Sequence, residues 1–392
     1  MESVLSHPLF WPFVLTVAII GIFPLAAGYI VLVERKILAD IQVRLGPMRV
    51  GPHGLLQPIA DAFKLLLKED IIPASADKAV FWMGPVISTF TALTCFTVLP
   101  FSEQIRVADV NVGLLVVSAM SAVGILGIIL GGWASNSHYP LLGALRSAAQ
   151  LVSYEVALGL ALISGVMMAG SLSMVNIVKT QQERGIWLVF ENYGLMIVTF
   201  AVYFIAALAE TNRLPFDLPE AESELVAGFM TEYSGFRWAL YFLAEYGNMV
   251  VVSGVAVTLF WGGWLRPFPS VGFLEIPLNF AFPILLFAGS GAASLWLVKR
   301  QPNAFRRGFL AAVGLCLLLA AALFAIPVVN QAVIGMFWFF LKVAVMLYVM
   351  IWIRGTFPRF RYDQLMNIGW KILIPLGMGL VLVNALVGMA KN

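Results

Sequence analysis

The sequence predicts an all-α, polytopic membrane protein with about ten transmembrane helices and one helix lying along the membrane surface. Three observations carry that prediction. Apolar residues make up 61% of the 392 positions and charged residues only 11%, whereas soluble domains are about half apolar and about a quarter charged. Ten apolar windows reach the roughly 20 residues that a helix needs to cross a bilayer. Lys and Arg are distributed very unequally between alternate connecting loops.

The windows fall at 11–33, 79–100, 110–132, 151–172, 186–209, 238–264, 277–298, 309–329, 333–353 and 368–389. Each is expected to be helical, because lipid cannot satisfy backbone amides in any open form. The first follows an acidic start (Glu2) with no basic n-region, so it reads as a span and not a cleavable signal. With the N-terminus outside, 18 of the 24 Lys and Arg residues fall in cytoplasmic loops and five outside, with Lys342 inside a span. The positive-inside bias therefore puts both termini on the non-cytoplasmic side.

Residues 55–69 break the pattern of spans. Leu55, Ile59, Phe63, Leu66 and Leu67 share one helical face, against Asp61, Lys64 and Lys68 on another. The stretch is too short to span and too two-faced for the lipid core, which predicts an interfacial amphipathic helix. It serves either as a membrane anchor or as the wall of an entrance beside Arg35, Lys36 and Arg44.

Ionisable groups within spans cost several kcal/mol unless they face protein or water. Glu155 sits just inside the fourth span, Glu245 about two turns into the sixth, and Lys342 mid-way along the ninth, roughly 18 Å of helix from Arg354. Their overlapping depth predicts one hydrated path, with helix-to-helix ion pairs as the alternative. The loop after the fifth span, within 210–237, carries Glu210, Asp217, Glu220, Glu222, Glu224 and Glu232 against Arg213 alone. Pro219 suits a first helical turn, which puts Asp217 near an N-cap and Glu220 and Glu224 on one face. Clustered carboxylates raise one another's pKa and suit proton relay. The interleaved Leu214, Phe216, Leu218, Leu225, Val226 and Phe229 argue that this loop is buried and not simply solvated.

Two further cytoplasmic segments complete a polar face fit to dock a partner. One runs from Gly131 and holds Arg146; the other, IRGTFPRFRYDQLMNIGWK, sets Arg354, Arg359 and Arg361 among aromatic residues beside Asp363. Lipid headgroups would suit the second equally well. Two distant cysteines, Cys95 and Cys316, and three scattered histidines exclude a disulfide framework, an iron–sulfur cluster and a haem or zinc site in this chain alone. No basic run with interleaved aromatics suits nucleic acid.

The segments PFDLPEAESELVAGFMTEYSG and WIRGTFPRFRYDQLM, with ERKILADIQVRLGP and GALRSAAQLVSYEVALGL, closely resemble signatures of the H-subunit family of complex I membrane proteins. That family is the bacterial counterpart of the first mitochondrially encoded subunit. The resemblance covers most of the chain outside roughly 265–332. It implies a membrane subunit of a proton-pumping NADH:quinone oxidoreductase, in the bacterial inner membrane with both termini periplasmic. Such a subunit forms the membrane side of a quinone chamber and holds no redox centre. Iron–sulfur clusters and FMN belong to partner subunits of the peripheral arm, and small and antiporter-like membrane subunits lie beyond. Residue by residue, the resemblance places Arg35, Lys36, Asp61 and Phe63 near the chamber entrance. Glu210, Arg213, Asp217, Glu220, Glu222 and Glu224 begin a proton path that Glu155 and Glu245 continue. Arg146 continues that path with them, and with Arg354, Arg359, Arg361 and Asp363 it is also counted to the docking segment. The chain departs from the family's eight spans by what reads as an inserted helix pair, 277–329, whose even number leaves the downstream topology unchanged. Two other readings remain at this point: the homologous subunit of a membrane-bound hydrogenase-type complex, and a stand-alone secondary transporter.

Overall fold

The computed structural model describes residues 10–217, 226–301 and 304–391. Among these, every regular element is a helix, and ten helices are long and apolar enough to cross a membrane. The chain runs α1 (Phe10–Ile41), α2 (Gln57–Leu67), α3 (Lys78–Val98), α4 (Gly113–Ala134), α5 (His138–Ala169), α6 (Met174–Arg184) and α7 (Leu195–Glu210). It continues with α8 (Gly235–Phe260), α9 (Phe282–Val298), α10 (Ala304–Ala325), α11 (Pro327–Thr356), α12 (Tyr362–Asn367) and α13 (Ile374–Lys391). A π-type turn over Ile368–Leu373 joins α12 to α13 into one span.

Helix α2 falls within the stretch predicted to be interfacial, packing beside α1 and α8 with none of its side chains fully buried. Two other expectations need correction. The fourth span starts at His138, thirteen residues before the apolar window does. Hydropathy marks where lipid begins, whereas GALRSAAQ holds good helix formers that need no lipid to coil. For the same reason α1 runs past Val33 to Ile41, which carries Glu34 and Arg35 on helix. Helix α6 has no counterpart among the apolar windows; its mixed polar sequence is started by Ser173, whose hydroxyl accepts from the Asn176 amide at 3.3 Å.

Helix α8 is the axis of the fold and packs against α1, α2, α3, α5, α6, α7 and α11. Helices α3 and α4 approach closely because Gly84 and Gly127 meet; a Cβ on Gly127 would lie 2.8 Å from the Gly84 carbonyl oxygen. Pro85 interrupts α3 and removes the amide that would have served the Phe81 carbonyl. The Tyr233 hydroxyl donates to that oxygen at 3.2 Å. Helices α9 and α10 form a hairpin on the flank, tied to α11 where Asn330 donates to the carbonyls of Asn279 (2.9 Å) and Phe324 (3.0 Å).

Candidate functional site

A buried set of charges forms where α1, α8, α11 and the loop after α7 converge. Its hub is Glu34, only 2% exposed. The Glu34 carboxylate accepts from Arg213 Nη1 at 2.9 Å and from the Tyr246 hydroxyl at 2.6 Å, and it is in direct contact with Arg354. Arg213 reaches on to Glu245, with Nε 2.6 Å from its carboxylate, and its guanidinium lies 4.2 Å from the centroid of the Tyr246 ring. Arg359 donates to Asp217 at 3.0 Å. Three carboxylates thus face three guanidiniums, the balance a water-poor interior requires, since an unpaired buried charge costs several kcal/mol.

The loop that carries Arg213 is held by backbone capture. Gln150 on α5 donates from Nε2 to the carbonyls of Ala209 (2.9 Å) and Phe216 (2.7 Å). The Phe360 amide donates to the Pro215 carbonyl at 3.0 Å, laying the basic segment over the loop. Burial works against the Arg213 charge, but Glu245, Tyr246 and Glu34 more than offset it and raise its pKa, so the guanidinium stays charged. Burial pushes the Asp217 carboxyl above the ordinary aspartate range, with Arg359 opposing.

Two cavities adjoin this network. The larger, about 580 Å³, lies between α1, α2, α3 and α8 and is mostly apolar. Arg35 and Asp61, paired at 3.1 Å, sit on its wall, and so does Tyr246. The smaller, about 90 Å³, is lined by Glu210, Glu245, Ser121, Asn248 and Tyr241, among others. Ser121 donates to Glu210 from within it, and the other Glu210 oxygen is buried without a partner. Glu155, on α5, is near enough for its charge to act on Glu210. Tyr246 and Glu245 therefore put the two ends of one ion-pair chain at the walls of two different cavities.

The sequence-predicted residues divide accordingly. Arg213, Asp217, Glu245, Arg354 and Arg359 come together, and Glu210 and Glu155 lie beside them. Lys36 instead donates to the His53 carbonyl at 2.5 Å, and Phe63 is 60% exposed; neither lines the large cavity. Arg361 and Asp363 pair with each other on the surface, and Arg146 is half-buried on α5. Glu220, Glu222 and Glu224, with the helix start expected at Pro219, lie outside the described residues.

Lys342 is a correction. Its depth predicts a path shared with Glu155 and Glu245, but its ammonium donates to the carbonyls of Trp261 (2.6 Å), Gly263 (2.9 Å) and Leu265 (2.5 Å), beneath the Trp187 ring. These carbonyls follow the C-terminal end of α8, roughly 24 Å of helix from Glu245. Depth along one helix does not reveal which neighbouring loop a side chain meets.

Three residues escape sequence reasoning. Glu34 does so because the apolar window ends one residue earlier, and Gln150 because a neutral amide gives no charge signal. Arg237 counts in the sequence only toward topology, yet it is 1% exposed and grips Asp70 through contacts at 2.6 to 2.9 Å. The sign available for Glu34 and Arg237 is an ionisable residue within two turns of a span's end. Among the described residues, no three His, Cys, Asp or Glu side chains group as metal ligands.

Such a bundle, with ten apolar helices and paired charges buried between two cavities, defines a polytopic membrane protein. Comparison with known proteins narrows the class. The family described as NADH dehydrogenase matches residues 14–385, and the chain belongs to it. The chain is 69% identical over 389 residues to the second H-type NADH-quinone oxidoreductase subunit of Solibacter usitatus, covering 99% of both chains. It is 50% identical to the first such subunit of Koribacter versatilis (97% and 92% covered) and 41% identical to the NADH-quinone oxidoreductase H subunit of Ralstonia pickettii (97% and 92%). The match to the Solibacter protein spans nearly all of both chains and so takes in residues 277–329. The chain is a multi-pass membrane subunit of an oxidoreductase complex, complex I, and these relatives lend nothing to the hydrogenase-type or transporter readings.

Proposed function

We propose that this chain forms the membrane wall of a quinone chamber and converts quinone reduction, carried out by a neighbouring subunit, into proton movement. The observation that carries the reading is the continuous chain Tyr246–Glu34–Arg213–Glu245 between the apolar cavity and the small polar one. An isoprenoid quinone is an apolar molecule with a polar head, and the large cavity offers apolar walls with Arg35, Asp61 and Tyr246 at its edge. The interfacial helix α2 forms one side of that cavity, which suits entry from the bilayer. Electrons come from iron–sulfur clusters, and ultimately FMN, in the peripheral arm, which docks over the Arg359–Asp217 side of the network. Protons arriving at the reduced quinone change the charge next to Tyr246. The ion-pair chain passes that change to Glu245, and Glu210 and Glu155 relay it toward small and antiporter-like membrane subunits. A buried chain of paired charges has few arrangements of equal energy, which is what coupling between distant sites requires. The basic loops at the Glu34 end of the bundle support a cytoplasmic position for that end, with both termini in the periplasm.

Glu245→Gln tests the reading. NADH:quinone turnover of the assembled complex should fall about tenfold or more, while NADH oxidation by a hydrophilic artificial acceptor stays intact. Unchanged quinone turnover with unchanged proton translocation would rule the path out.

A further inference from the structure

The α9–α10 hairpin takes no part in the network above, yet it carries the most one-sided charge in the chain. No Asp or Glu occurs between Glu275 and Asp363. Within that acid-free stretch Lys299, Arg300, Arg306 and Arg307 flank the connection between the two helices. Among the described residues none of the four has a carboxylate partner. Arg300 is instead stacked 3.7 Å from the centroid of the half-exposed Trp296 ring. A tryptophan carrying a guanidinium at a span's end is the arrangement that settles at headgroup level.

The connection is not isolated. Helix α10 packs against the Pro52–Gly54 turn, and the loop leading into that turn carries exposed Arg44 and Arg49. Among the described residues, the Arg44 side chain is bound only by the neutral Gln42, at 2.6 Å. Two loops distant in sequence thus pool six cations at one end of the bundle, with Asp40 the acid closest to them along the chain. The helices beneath present exposed Leu297, Leu315, Leu319 and Phe305, an apolar wall running directly up to the cations.

We propose that this surface binds the headgroup of an anionic phospholipid, whose acyl chains lie along the hairpin's apolar flank. The two halves of the surface match the two halves of that amphiphile. Clustered Lys and Arg next to a span attract anionic headgroups near the membrane surface. An acidic protein segment would match the cations alone and leave the adjoining wall to other lipid. The site also borders the Pro52–Gly54 turn, whose His53 carbonyl holds Lys36 on α1, beside the wall of the large cavity. The inference stands apart from the proposed proton path, since it uses none of the same residues.

The test uses the purified complex and photoactivatable phospholipids, with either phosphatidylglycerol or phosphatidylcholine headgroups. Peptides from 282–325 should be labelled at least fivefold more by the phosphatidylglycerol probe. The combined variant Lys299→Gln, Arg300→Gln, Arg306→Gln and Arg307→Gln should lose that preference, and Arg→Lys changes at the three arginines should keep it. Wild-type labelling should be displaced by unlabelled phosphatidylglycerol but not by inorganic phosphate, which separates a lipid site from a simple anion site. Equal labelling by both probes, displacement by phosphate alone, or crosslinking of the hairpin's basic end to another subunit in place of lipid would each overturn the proposal. If the fourfold variant fails to assemble, the headgroup preference and the displacement pattern of the wild-type complex still decide.

Discussion

Helix α8 and the α9–α10 hairpin are made of similarly apolar sequence but solve opposite problems. In α8, 72% of the most apolar stretch is buried against protein, compared with 17% and 22% in the two hairpin spans. Ionisable residues concentrate in the first: Arg237 and Glu245 lie on α8, and Glu34, Arg213 and Arg354 lie against it, each with a partner. The hairpin carries no charge beyond its connecting end. Lipid gives its two helices no hydrophobic reason to associate, so they rely on close backbone approach. Gly291 and Gly314 provide it, where a Cβ on either would meet the other's carbonyl oxygen at 3.0 to 3.1 Å. A charged core thus depends on partners and an exposed hairpin on fit.

Substitutions should separate the two. The largest effect is expected at Glu34. Glu34→Gln leaves Arg213 and Arg354 short of a buried carboxylate, a change that costs about 3–5 kcal/mol at such sites. Quinone reductase activity should fall more than tenfold, and the thermal midpoint of the complex should drop. An unaffected midpoint would show that the network is not a paired unit. Next is Gly314→Leu, whose side chain meets Leu295 at 2.8 Å from the Cβ onward; crowding of this kind costs about 1–3 kcal/mol. It should loosen the hairpin, read as increased protease access between α9 and α10, while quinone turnover stays within about twofold.

A smaller, pH-dependent effect is expected at Asp217. Burial raises its folded-state pKa above the ordinary aspartate value of about 3.9. The stability it contributes is therefore present below that value and is lost as pH rises through the raised one. Asp217→Asn does not titrate, so its midpoint relative to wild type should climb as pH goes from about 4 toward neutral. A flat difference would show that Arg359 fully restores the ordinary titration. The smallest effect belongs to Leu319→Ala, on the 64% exposed flank of α10. The loss should stay within about 0.5 kcal/mol, and a larger one would mean that another protein covers this flank.

The same contrast explains what the sequence alone makes legible. Every span is visible, because lipid forces a helix wherever about 20 apolar residues run together. The short helix α2 is visible too, from the face shared by Ile59, Phe63 and Leu66. The site is only half legible. Glu245 draws attention as a charge within a span and Arg213 as the lone cation of an acidic loop, but nothing local joins them to Glu34, whose partners stand 179, 212 and 320 residues away in sequence. Helix α6 escapes because it neither spans nor repeats a clean apolar period. Lys342 is misplaced by its depth because its partners are main-chain carbonyls, which every residue has and no sequence pattern marks.

That lysine has a consequence of its own. Its ammonium sits where a loose potassium or sodium ion would otherwise suit three converging carbonyls at the negative end of a helix dipole. Being covalently attached, it cannot be diluted, exchanged or chelated. The far end of the central helix therefore carries its own hydrogen-bond donor, and that anchorage does not depend on the salt in the surrounding medium. Replacing all sodium and potassium with choline should leave the amide exchange of that helix end unaltered.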